Sequence, residues 1–136
     1  MNRRYLIPLF ALIAIAGCKQ GVESPHYTRA DPYDSGHVTL SGEFGDDLRR
    51  STAFEQERIG RDQYGMLTVT IPIRSAVDHT LHLEYQYSFF DSTGRLVEGP
   101  MGWTQINLEA ASPGTIQFSS TQASATDFHV TVRYQR

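Results

Sequence analysis

From Leu67 onward the chain alternates apolar and polar residues with a period of two. Leu67, Val69, Ile71 and Ile73 alternate with Thr68, Thr70 and Pro72. Leu81, Leu83, Tyr85, Tyr87 and Phe89 alternate with His82, Glu84, Gln86 and Ser88, and Phe128, Val130, Val132 and Tyr134 with His129, Thr131 and Arg133. Such runs, rich in β-branched and aromatic residues, predict strands with one buried face. Shorter candidates are Val38 to Phe44, Phe54 to Ile59, Leu96 to Val97, Trp103 to Leu108 and Thr115 to Ser119. Asp91-Ser92-Thr93-Gly94 and Ser112-Pro113-Gly114 read as turns, with Gly94 supplying a positive φ. Pro72 has no N–H to give a ladder, so its strand is expected at an edge or bulged. Only Asp46 to Arg61 leaves room for a short helix. Many short strands with regular turn signals predict an antiparallel β-sandwich over residues 37–136, a small closed barrel being the alternative.

A different pattern opens the chain. Met1 to Tyr5 carries Arg3 and Arg4, and Leu6 to Gly17 is apolar, ending in small residues. A basic head and a short apolar run before a small-residue cut describe a secretory signal. The run falls short of the roughly 20 residues that span a bilayer as a helix. Ile15-Ala16-Gly17-Cys18 resembles the lipobox of bacterial lipoproteins. That resemblance implies cleavage of residues 1–17 and covalent diacylglycerol and N-acyl lipid on Cys18, the chain's one cysteine. Lys19, where an inner-membrane retention signal carries Asp, implies the outer membrane, at its periplasmic face. The alternative is a plain secretory signal beside a coincidental cysteine.

Residues 18–36 hold two Pro, two Gly and no apolar period, and read as a flexible tether. Its mean span would be ~20–25 Å as a coil and ~60 Å fully extended. Packing along the domain as an ordered strand, pinned by Tyr27 and Tyr33, is the other possibility. The formal charge is -3; losing Arg3 and Arg4 with the signal takes it to about -5. A mildly acidic domain lacks the basic footprint of a nucleic-acid binder or of a protein held on anionic lipid by charge. Without a second cysteine there is no intramolecular disulfide, so the fold rests on its apolar core.

Three segments resemble the YcfL family of small Gram-negative lipoproteins. They are Leu67-Thr68-Val69-Thr70-Ile71-Pro72-Ile73 running into a polar turn, the aromatic strand Leu83 to Phe90 ending in Asp91 and the Gly94 turn, and the strands opened by Trp103 and by Phe128. The chain departs from that pattern at Ser75, where members tend to carry Asn, and at Phe90, where Trp is expected. The resemblance implies an immunoglobulin-like sandwich with no established activity, and it brings no functional residues with it.

Few residues of the chain fall into a pattern that carries chemistry. Of five histidines, His79 and His82 are three apart, on opposite faces of a strand, and no zinc-like spacing accompanies them. His82 and His129 share the polar phase of their strands and could be neighbours on the surface. Asp46-Asp47 and Glu55-x-Glu57 are carboxylate pairs. The latter would share a face and read as a solvated edge, without the cleft a glycosidase needs. No nucleophile elbow or phosphate loop is present. No catalytic or metal-binding residue is therefore assigned.

The remaining signal is aromatic. Phe90 falls on the outward phase beside inward Phe89, and Trp103 follows Gly99-Pro100-Met101-Gly102. Exposed aromatics beside such a loop can mark a binding patch, unless a bulge or the second sheet buries both. The expectation is thus an envelope lipoprotein with a non-catalytic interaction domain, an envelope protein as partner and no cofactor. A small carrier or hydrolase for cell-wall or lipid fragments is the alternative.

Overall fold

The computed structural model describes residues 36–136; the expected signal segment, Cys18 and the expected tether through Ser35 lie outside the described residues. The order is β1 (Val38–Leu40), α1 (Gly45–Ser51), β2 (Thr52–Phe54), β3 (Arg58–Arg61), β4 (Leu67–Ser75), β5 (Leu81–Phe90), β6 (Leu96–Glu98), β7 (Thr104–Leu108), β8 (Pro113–Ser119) and β9 (Asp127–Tyr134).

Two sheets result. In the first, β9 lies between β1 and β5, while β6 and β7 follow one another along the far edge of β5. In the second, β4 is central, with β8 along one edge and β2 then β3 along the other. The expected antiparallel sandwich is the fold found, with one exception. β1 runs parallel to β9, pairing Val38 with Val130 and Leu40 with Val132.

The period of two explains the core. Leu67, Val69, Ile71 and Ile73 of β4 are buried against Leu81, Leu83 and Phe89 of β5 and Val130 and Val132 of β9. Phe118 of β8 is the aromatic hub. It stacks on Tyr87 with ring centroids 4.4 Å apart and meets Phe89 and Phe128 at 5.7 Å each. Offset and edge-on pairs of this kind add to the stabilisation from area burial alone.

Several expectations are corrected. Pro72 lies in a central strand. Its carbonyl accepts from Glu55 N–H at 2.8 Å, which puts its missing donor toward the gap between β2 and β3, so the irregularity sits in the neighbour. The expected strand from Phe54 to Ile59 is therefore broken in two. Val38 to Phe44 contributes only three strand residues. The turn expected at Ser112-Pro113-Gly114 comes earlier, closed by Ser112 N–H on Glu109 O at 3.0 Å with Ala111 at φ 53°. Pro113 then opens β8, a strand start being where a missing N–H is tolerated. The Asp91 turn forms as expected. Asp91 Oδ1 accepts from Thr93 N–H, Thr93 O–H and Arg95 N–H, and Gly94 has φ 79°. Those bonds, the Thr93 hydroxyl first, lower the pKa of Asp91.

The short helix sits at the start of the segment where one was allowed. Asp46 and Asp47 fall in its first turn and Arg49 and Arg50 in its last, the order that complements the helix dipole. Its buried Leu48 enters the core, and Tyr134 donates its hydroxyl to Asp47 Oδ2 at 2.9 Å, tying α1 to β9.

Candidate functional site

The outward phases of β5 and β9, with the chain around β7, build one polar face on the first sheet. Register places Glu84 opposite Arg133 on β9 and opposite Gln105 on β7, and His82 opposite Asn107. Arg133 Nε donates to Glu84 Oε1 at 2.6 Å, and the two side chains are only 19% and 11% exposed. The same guanidinium lies over the Trp103 ring, 3.6 Å from its centroid. An arginine stacked on an indole and bonded to a carboxylate satisfies its charge and its flat faces together. Alongside, His82 Nδ1 and Asn107 Oδ1 are 2.9 Å apart.

Both sequence candidates lie on this side of the sheet, half-buried, and they do not touch. Thr104 pairs with Tyr85, so Trp103 stands across from Gln86, four residues from Phe90 or ~13 Å along a strand. Phe90 ends β5, where the register with β6 shifts between Phe89 and Phe90, and its carbonyl accepts from Thr126 N–H at 2.8 Å. Between the two, Gly99 presses on β5. A Cβ there would lie 2.8 Å from Tyr87 O and 3.0 Å from Ser88 Cα. Met101 N–H then bonds Tyr87 O at 2.9 Å, and Gln86 Nε2 donates to Met101 O at 2.6 Å.

A family profile described as "Protein of unknown function (DUF1425)" matches residues 45–134. The chain belongs to this family. The matched span of the DUF1425 domain runs from α1 to the end of β9 and contains Glu84, Phe90, Trp103 and Arg133. No curated protein matches the chain. Among solved structures, Campylobacter jejuni cj0090 is similar with a TM-score of 0.59 at 15% identity, over 73% of this chain and 98% of that one. A DUF1425 family member from Shewanella sp. pv-4 is similar with a TM-score of 0.56 at 20% identity, over 62% of this chain and 79% of that one. At these identities the likeness is one of fold.

A second polar cluster fastens β1 to the DUF1425 domain. His37 Nδ1 lies 2.7 Å from Glu57 Oε1 and its Nε2 3.1 Å from Asp127 Oδ1, with the ring 4.5 Å from that of Phe128. Glu57, expected on a solvated edge, is thus 11% exposed and bound across the seam between the sheets. His129 Nε2 is 2.8 Å from Thr39 Oγ1. Burial, then the nearby His37, lowers the pKa of His129, with Asp127 opposing. His129 pairs with Ser88 and His82 with Asn107, six residues apart on β5, so the two histidines are not the neighbours that their shared phase allowed. At the other end of β1, Phe44 is 61% exposed. It lines an open groove of about 300 Å³ with Ser41, Arg133 and Tyr134, and a second groove of about 290 Å³ lies between Leu40 and Arg49.

Sequence reasoning found Trp103 and missed its partners. Glu84 and Arg133 each stand on the polar phase of a strong strand, where a charge reads as solvated. Only the pairing of β5 with β9, 49 residues apart at this rung, reveals them as one unit.

Proposed function

We propose that the chain is a lipid-anchored cell-envelope protein, a YcfL-like member of DUF1425 whose sandwich is a non-catalytic interaction domain accessory to an envelope process. The observation that carries the domain reading is the Trp103–Arg133–Glu84 stack, an organised aromatic surface on an outward sheet face. The grooves lined by Phe44 and its neighbours are open to solvent, a shape that suits a surface contact. The anchor reading is supported by the signal-like first 17 residues and by Ile15-Ala16-Gly17-Cys18. Several acyl chains on one cysteine, at ~0.8 kcal/mol per buried methylene, give an essentially permanent hold. Lys19 supports the periplasmic face of the outer membrane, with an envelope protein as partner.

Radiolabelled palmitate tests the anchor: the wild type should be labelled, and Cys18→Ser should be unlabelled and keep its signal. Equal labelling of the two would overturn the lipoprotein reading. Lys19→Asp should move the protein to inner-membrane fractions in an enterobacterial host; an unchanged density profile would remove the sorting inference. Crosslinking the lipidated protein in its envelope should capture a discrete partner that is lost on replacing Trp103.

A further inference from the structure

We propose that the Trp103 indole, with Gln105 and Asn107 beyond it, is a binding platform for a neutral β-linked chain of N-acetylated amino sugars, the sugar backbone of the cell-wall glycan and not its charged peptide stems. Only the source of that glycan rests on the envelope reading above; the chemistry of the platform rests on the geometry.

The guanidinium of Arg133 occupies one face of the indole. Among the described residues no strand lies beyond β7; with Arg133 over one face, the part of Trp103 left in solvent belongs to the opposite face and the ring edge. The ring is also held still. Arg133 is bonded to Glu84, Glu84 stands on the central strand β5, and the ring cannot turn without giving up the cation. A rigid, partly exposed aromatic face is what a stacking ligand requires, because little entropy is lost on binding.

Charge narrows the ligand class. A cationic ligand would meet the Arg133 charge behind the same ring. An anionic one would find that charge already neutralised by Glu84 at 2.6 Å. A neutral ligand suffers neither conflict. Along the same edge strand, Gln105 and Asn107 are exposed and follow Trp103 at every second residue, a spacing of ~7 Å on one face. Each amide both donates and accepts, and His82 fixes the orientation of Asn107. Pyranose rings present weakly positive C–H groups that suit the negative face of an aromatic ring, while hydroxyl and acetamido groups at their rims suit amides. An extended chain of N-acetylated sugars offers both features in repeat along the direction of β7.

The test uses the full chain purified in detergent. Trp103 is its only tryptophan, so emission under tryptophan-selective excitation, which leaves the tyrosines dark, reports on the platform. Titration with tetra-N-acetylchitotetraose should give a saturable change in emission. Gln105→Ala, at an exposed site, should keep the fold and weaken binding by about 3- to 10-fold, the worth of one hydrogen bond. Cellotetraose, the β-linked chain without acetamido groups, should bind at least about tenfold more weakly, and equal binding would overturn the amino-sugar assignment. No saturable change, or a Gln105→Ala titration that overlays the wild type, would overturn the platform. The titration does not depend on where the chain resides. Should the sugar bind while fractionation finds the chain outside the envelope, the cell-wall source is overturned and the amino-sugar chemistry stands.

Discussion

Glu84 stands on the outward phase of β5, yet Arg133, directly across the β5–β9 ladder, leaves its side chain only 11% exposed. The bond between them is 2.6 Å long and the arginine is roofed by Trp103. Removing one partner strands a poorly hydrated charge. Glu84→Ala or Arg133→Ala should each cost about 2–3 kcal/mol, as lost hydrogen bonds to charged groups do. The double mutant should cost clearly less than the sum, since neither charge is then left alone. Urea melts of the four proteins measure this; additive losses would mean the pair is not coupled.

Gly99 has φ 99° and approaches Tyr87 O and Ser88 Cα so closely that a Cβ would sit 2.8 Å and 3.0 Å from them. Both obstacles are backbone, which cannot swing away. Gly99→Ala should therefore destabilise the domain by about 2–4 kcal/mol, from left-handed strain and steric conflict combined. It should also loosen the Met101–Tyr87 bond that holds the segment before Trp103 on β5. Hydrogen exchange at Met101 should rise in the variant. An unchanged urea midpoint would show that the close approach is not required.

His129 gives the fold a dependence on pH. Its pKa is lowered by burial and by the neighbouring His37, with Asp127 opposing, and it faces the Thr39 hydroxyl of β1. With the folded value below the unfolded 6.5, the unfolded chain takes up its proton first as the pH falls. This contribution is intact above about pH 6.5 and is lost as the pH drops from there through the folded value. Urea midpoints should fall between pH 7.5 and 5 more steeply in the wild type than in His129→Gln. Parallel profiles would remove His129 as the cause.

The long strands β4, β5 and β9 were legible because each buries one face, and alternation records that burial directly. The three-residue strands β1, β2 and β6 are too short to display the period, and their limits are set by their partners. Pro72 pointed to an edge or bulged strand and its strand is neither: β4 is central and regular, and the missing donor is met by the break between β2 and β3, which only the tertiary pairing reveals. Trp103 stood out by residue type alone. Glu84 and Arg133 did not, because opposite charges on the polar phase of two distant strands look solvated until the register between them is known. The clasp of His37 on Glu57 and Asp127 was hidden for the same reason.

Phe89 and Phe90 are chain neighbours whose roles the period of two separates. Phe89 is 0% exposed and packs edge-on against Tyr87 and beside Phe118. Phe89→Ala should cost ~3–5 kcal/mol through lost transfer energy and the cavity left behind. That is a large share of the ~5–15 kcal/mol a small domain has. Phe90 points the other way and is half-buried at the register shift beside β6. It still covers part of the sheet, so Phe90→Ser should cost ~1–2 kcal/mol, a fraction of the transfer energy of a fully buried side chain. The Trp103 emission spectrum should not move in Phe90→Ser, because four residues of β5 separate the two rings. Equal losses in the two mutants would mean that β5 is covered on both faces at this end. A shifted Trp103 spectrum would mean that Phe90 and Trp103 form one surface after all.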